Sequence, residues 1–68
     1  MKAKEIIKIL KNNGWILERS KGSHLHFKHY NKSSIVTVPF HGSKDLNFKT
    51  LLTIIKSAGL SRAEIFNF

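Results

Sequence analysis

The chain has 68 residues, no cysteine and 41% apolar residues, which leaves room for one domain with one core. It excludes disulfide staples, thiolate metal sites and a disordered tail. Twelve Lys and Arg face four Asp and Glu, a net charge of +8 with the histidines neutral, and such an excess attracts polyanions, nucleic acid before an anionic membrane surface, with an acidic protein partner compatible with either.

The whole chain, 1–68, reads as a single domain without repeats, linkers or low-complexity segments. A chain this short buries only roughly 60% of its unfolded surface, so modest stability is expected. No apolar run is long enough for a membrane span, and the first residues lack a secretory-leader pattern. The expectation is therefore a cytoplasmic protein with no membrane among its partners.

Ala3, Ile6, Ile7 and Leu10 follow the i, i+3, i+4, i+7 spacing, with Lys4, Lys8 and Lys11 opposite. The spacing predicts a first helix from about Ala3 to Asn13, closed by Gly14. Its lysine stripe has an ordinary explanation as a solvated face. Trp15 to Arg19 is a first strand candidate, followed by a turn at Ser20-Lys21-Gly22-Ser23. His24 to His29 alternates: Leu25 and Phe27 point one way, and His24, His26 and Lys28 the other. Residues 29–33 make a hairpin connection into Ser34 to Pro39, the strongest β segment by propensity, which Pro39 ends.

Phe40 to Leu46 reads as a loop, and Asn47 as the cap of a second helix over about Phe48 to Ala58, with Leu51, Leu52, Ile55 and Ala58 inward. Gly59 ends it, and Ser61 and Glu64 have capping-box spacing for a last turn over Arg62 to Phe66. Trp15 and Phe27 are expected in the core, Phe48, Phe66 and Phe68 near helix termini, and Tyr30 at a hairpin tip. The expected class is α+β in the order α-β-β-β-α, a three-stranded antiparallel sheet covered on one face by two helices. The other face is left open, with His24, His26 and Lys28 on it or at its edge.

With no cysteine and only four scattered acids, the histidines are the remaining groups for acid–base chemistry: His24, His26, His29 and His41. An imidazole takes and returns a proton near neutrality, as phosphodiester cleavage requires. Lys21-Gly22-Ser23-His24 combines a cation, a backbone free to approach a phosphate closely, a hydroxyl and a histidine at a strand start. His24 and His26 share a face with Cα atoms roughly 6.5 to 7 Å apart, suited to flanking a phosphate. The bland reading is a wet strand face beyond an ordinary turn. Lys44 and Lys49 flank the start of the second helix, where cations oppose the dipole unless an anion sits there. No set of ligands for a metal stands out, and no cofactor is expected.

Asn13-Gly14-Trp15, Arg19, Lys21-Gly22-Ser23-His24, Phe27, Val36-Thr37-Val38-Pro39, Leu51-Leu52, Ile55-Lys56 and Ala58-Gly59-Leu60-Ser61 together resemble the HicA-type mRNA interferases, over about Glu5 to Ser61. The resemblance implies a double-stranded-RNA-binding-domain-like fold. It also implies a toxin that cleaves mRNA without metal and is neutralised by a HicB-type antitoxin. The family's single catalytic histidine, in Gly-Ser-His, falls on His24. Two departures are visible: many members carry a second histidine where Leu25 stands, and Gly-Thr where Lys49-Thr50 stands.

The resulting expectation is an endoribonuclease in which His24 assists attack of a ribose 2′-hydroxyl on the adjacent phosphate, with hydrolysis by an activated water as the alternative route. Lys21, Gly22 and Ser23 would hold that phosphate, Lys44 and Lys49 would contact RNA, and His26 is the candidate second proton carrier. A non-catalytic RNA-binding module of the same fold is the alternative. A domain whose charge serves only an acidic antitoxin is a third reading.

Overall fold

The computed structural model describes residues 1–66; the expectation for Phe68 lies outside them. Helix α1 (Ala3–Asn12) leads into strands β1 (Trp15–Lys21), β2 (His24–His29) and β3 (Lys32–Pro39), followed by helices α2 (Phe48–Ala58) and α3 (Arg62–Phe66). The strands form one antiparallel sheet in the order β1-β2-β3. The expected order and class are therefore observed.

The core lies between the sheet and the helices. Ile6, Ile9 and Leu10 of α1, Trp15, Phe27, Val36 and Val38 of the sheet, and Ile54 and Ala58 of α2 are buried together. Each large side chain taken out of water here contributes about 1.5 to 3 kcal/mol. The inward face of α2 differs from expectation. Leu51, Ile54, Ile55 and Ala58 follow the i, i+3, i+4, i+7 spacing and face the sheet, while Leu52 stays 43% exposed. At 3.6 residues per turn, Leu51, Ile54, Ile55 and Ala58 share one arc of the helix and Leu52 falls outside it. Phe48 is exposed on the first turn of α2.

Both hairpins are tighter than the sequence suggested. Lys21 pairs with His24 and His29 with Lys32, so each turn has two residues, Gly22-Ser23 and Tyr30-Asn31. Gly22 has φ +60°, and among the described residues only glycines have positive φ, which fits a type II′ turn with glycine in its first central place. Strands β1 and β3 each run two residues further toward their neighbours than propensity implied.

Strand β1 contains a bulge. Leu17 pairs with Phe27 but Arg19 pairs with His26, so Glu18 is one residue too many. Strict alternation from the buried Trp15 would turn Arg19 and Lys21 toward the core. The extra residue shifts the alternation and sends both to the open face.

Helices α1 and α2 share a direction. At the chain start, Lys2 bridges to Asp45 and the Leu46 N–H donates to the Met1 carbonyl, while the Asn13 carbonyl beyond α1 accepts from His29. Lys32 and Ser34 at the start of β3 donate to the Ala58 and Ser57 carbonyls at the end of α2. Both helix N-termini therefore lie toward the Gly22-Ser23 turn, and both C-termini toward Tyr30-Asn31.

Candidate RNA-cleaving site

On the open face the register sets side chains from three strands side by side. Lys21 is directly opposite His24, Arg19 is opposite His26, and on the far side His24 faces Pro39 and His26 faces Thr37. Directly opposed residues carry their Cβ atoms about 4.5 to 5.5 Å apart. His24 is exposed, and His26 is half-buried with Nδ1 2.9 Å from the Thr37 hydroxyl. Lys28 continues the row and lies 3.7 Å from Glu18 at the bulge.

The sequence-predicted residues divide into two sets. Lys21, Gly22, Ser23 and His24 come together in one hairpin, with His26 two residues along the same face. Lys44 and Lys49 stand at the same end of the molecule but belong to the helical layer. The Ser23 carbonyl accepts from the Phe40 N–H at 2.7 Å, which brings the loop after β3 beside the hairpin. Lys44 follows in that loop, its N–H donating to the His41 carbonyl, and Lys49 lies in the first turn of α2. The Lys49 N–H is taken by the Asn47 side chain at 2.8 Å, so one of the donors expected to greet an anion there is already occupied.

Electrostatics favour an anion at this end. Two helix N-termini add positive dipole ends to Lys21, Arg19, Lys44 and Lys49. Arg19 is the residue that sequence reasoning left out of the site. It stands among the motif residues, yet only the bulge at Glu18 shows that it faces His26, and no periodicity rule announces a bulge.

His29 has a different role. Its Nε2–H donates to the Asn13 carbonyl at 2.9 Å, and its Nδ1 accepts from the Asn31 N–H at 3.0 Å, which fixes the tautomer. The ring meets Trp15 edge-on and stacks on Tyr30 at 4.9 Å between centroids. Gly14 is pressed against it: a Cβ there would come within 2.8 Å of Nε2, and its φ is +90°. Both ring nitrogens of His29 are thus engaged in holding the fold.

A model of the HicA toxin family, described as the HicA toxin of bacterial toxin–antitoxin systems, matches residues 3–60. The chain belongs to the HicA toxin family. Among curated proteins no match was found. The matched span runs from the start of α1 to Leu60 and so takes in the sheet, the Gly-Ser-His hairpin and α2. As a HicA-type toxin of a toxin–antitoxin system, the protein has a cognate antitoxin as its partner. No helix among the described residues is long and apolar enough to cross a membrane.

Proposed function

We propose that this HicA-family chain is an endoribonuclease that cleaves mRNA on the open face of its sheet, with His24 as general base, and that a HicB-type antitoxin neutralises it. The observation that carries the reading is the placement of His24. It is an exposed ring on a strand, without a side-chain hydrogen bond among the described residues, beside Lys21 and at the lip of a glycine turn. The His24 ring takes the proton from a ribose 2′-hydroxyl as that oxygen attacks the adjacent phosphorus. Lys21 and the Gly22-Ser23 backbone hold the phosphate oxygens. This route requires RNA, because DNA lacks the nucleophile, and it requires no cofactor.

The test is His24→Ala, assayed for cleavage of a defined mRNA and for growth inhibition, with thermal melting as a control. Loss of a general acid–base group lowers the rate on the order of 10² to 10⁴, or about 3 to 5 kcal/mol. Cleavage at near wild-type rate by the folded variant rejects the assignment. Wild-type protein that shifts RNA on a gel without breaking it identifies a non-catalytic binding module instead.

A further inference from the structure

We infer that Thr37 is a positioning residue that fits His26 to deliver the second proton of the reaction, to the 5′-oxygen that leaves when His24 has taken the first. The inference rests on the ribonuclease reading above and deepens it.

Two histidines of β2 have Nδ1 in a hydrogen bond, and the partners differ in kind. His29 Nδ1 faces a backbone N–H, which only donates, so that nitrogen must stay without a proton to keep its bond. His26 Nδ1 faces the Thr37 hydroxyl at 2.9 Å, which donates to a bare nitrogen and accepts from a protonated one. His26 therefore keeps its orienting bond in either protonation state, with Nε2 left to exchange a proton with a substrate. Thr37 comes from the neighbouring strand directly opposite, so its hydroxyl is held by the ladder and not by a mobile loop.

The surroundings suit a proton donor to an anionic substrate. Arg19 stands opposite His26 from β1, and Lys21 opposite His24. Glu18, the carboxylate of this face, is 3.7 Å from Lys28. On its own strand His26 has His24 on one side and Lys28 on the other, both on the same face. His24 and His26, at i and i+2, stand roughly 6.5 to 7 Å apart at Cα, enough to seat a phosphate between the rings.

The step balances. The 2′-oxygen gives its proton to His24 and forms a bond to phosphorus, while the bond from phosphorus to the 5′-oxygen breaks. That oxygen takes the proton carried on His26 Nε2, leaving a 2′,3′-cyclic phosphate and a 5′-hydroxyl. The two rings end with their protonation exchanged, and solvent resets them.

The test uses two matched RNA oligonucleotides, one ordinary and one with sulfur in place of the leaving 5′-oxygen. A thiolate leaves without a proton, so only the donor becomes dispensable. His26→Ala should lose on the order of 10² to 10⁴ on ordinary RNA and regain most of that on the sulfur substrate, whereas His24→Ala should stay defective on both. Thr37→Val should lose roughly tenfold or more on ordinary RNA only, and Thr37→Ser should restore it, since the hydroxyl returns. His26→Gln serves in place of His26→Ala if that variant melts early. Equal defects of His26→Ala on both substrates overturn the inference, as do wild-type rates for Thr37→Val or selective rescue of His24→Ala. Wild-type protein that cleaves neither RNA rejects the ribonuclease reading, and this inference with it.

Discussion

At one end of β2, His24 leaves its ring in solvent beside Lys21; at the other, His29 has both ring nitrogens bonded and packs on Trp15 and Tyr30. The residue type and the strand are the same. What differs is the company each keeps. The His24 end gathers two helix N-termini and a glycine turn open to a ligand. The His29 end gathers two helix C-termini: Lys32 donates to the Ala58 carbonyl, and Lys11 and Lys56 place positive charge in the last turns. A histidine at an end of a strand is thus no signal by itself, and its function follows from whether its nitrogens are already engaged.

The sharpest way to break the contrast is to exchange the expected losses. His24→Ala should cost activity on the scale given above while shifting stability by no more than about 0.5 kcal/mol, as exposed substitutions do. His29→Ala should do the reverse. It leaves the Asn13 carbonyl and the Asn31 N–H without their partner and removes the ring packing, a loss of about 2 to 4 kcal/mol. Against a total of about 3 to 10 kcal/mol for a chain of this length, that is a large share. Gly14→Ala should follow in size, at about 1 to 3 kcal/mol, because alanine is strained at positive φ and its methyl meets the same ring. Denaturant melts of the three variants check the order. Equal destabilisation by His24→Ala and His29→Ala would erase the distinction between the two ends.

Smaller effects sharpen it. Each phosphate neutralised on a single strand adds about −0.7 to the slope of log affinity against log salt. Lys21→Ala, Lys44→Ala and Lys49→Ala, at the His24 end, should each flatten the slope by about one such increment in RNA-binding titrations. Lys4→Ala, Lys8→Ala and Lys11→Ala, on the exposed side of α1, should not. Equal changes for all six would mean a diffuse field and no groove on the open face.

The smallest effect concerns α3. The Ser61 N–H donates to the Glu64 carboxylate at 2.7 Å, and the Ser61 hydroxyl accepts from the Glu64 N–H. The backbone bond from Ser61, then its side chain, hold the Glu64 carboxyl below its ordinary value, against a small opposing effect of burial and with minor help from Lys32. A lowered carboxyl stabilises the fold above its unfolded pKa, and the contribution fades as pH falls through the folded one. Glu64→Gln should therefore lower the neutral side of the melting profile slightly and leave the acid end, where the contribution has already faded, little changed.

Much of this was legible in the residues. The helix of Ala3, Ile6 and Leu10, the cap at Asn47, the Ser61-Glu64 box and the alternation of Leu25 and Phe27 each rest on a local rule that the structure obeys. Leu52 misled because two adjacent leucines both look apolar, and only the angular position tells them apart. The length of β1 was missed because Ser20 and Lys21 have poor strand propensity, and their place comes from pairing with Leu25 and His24. His29 was indistinguishable from His24 by type. Its role comes from Asn13, which is far along the chain and meets it only when α1 docks. The partnership of Arg19 and His26 depends on a single inserted residue that no periodicity records.

That inserted residue has a consequence for the protein at high concentration. Strand β1 has a neighbour on one side only, and its exposed Ile16 and Leu17 would invite a second chain to add itself to the sheet. A bulge bends and twists the outer strand, and the charges of Glu18, Arg19 and Lys21 occupy the length beyond it, so a straight incoming strand finds neither matched register nor an apolar seam. The irregularity that turns Arg19 and Lys21 onto the open face thus also guards the chain against aggregation while it is free of its antitoxin.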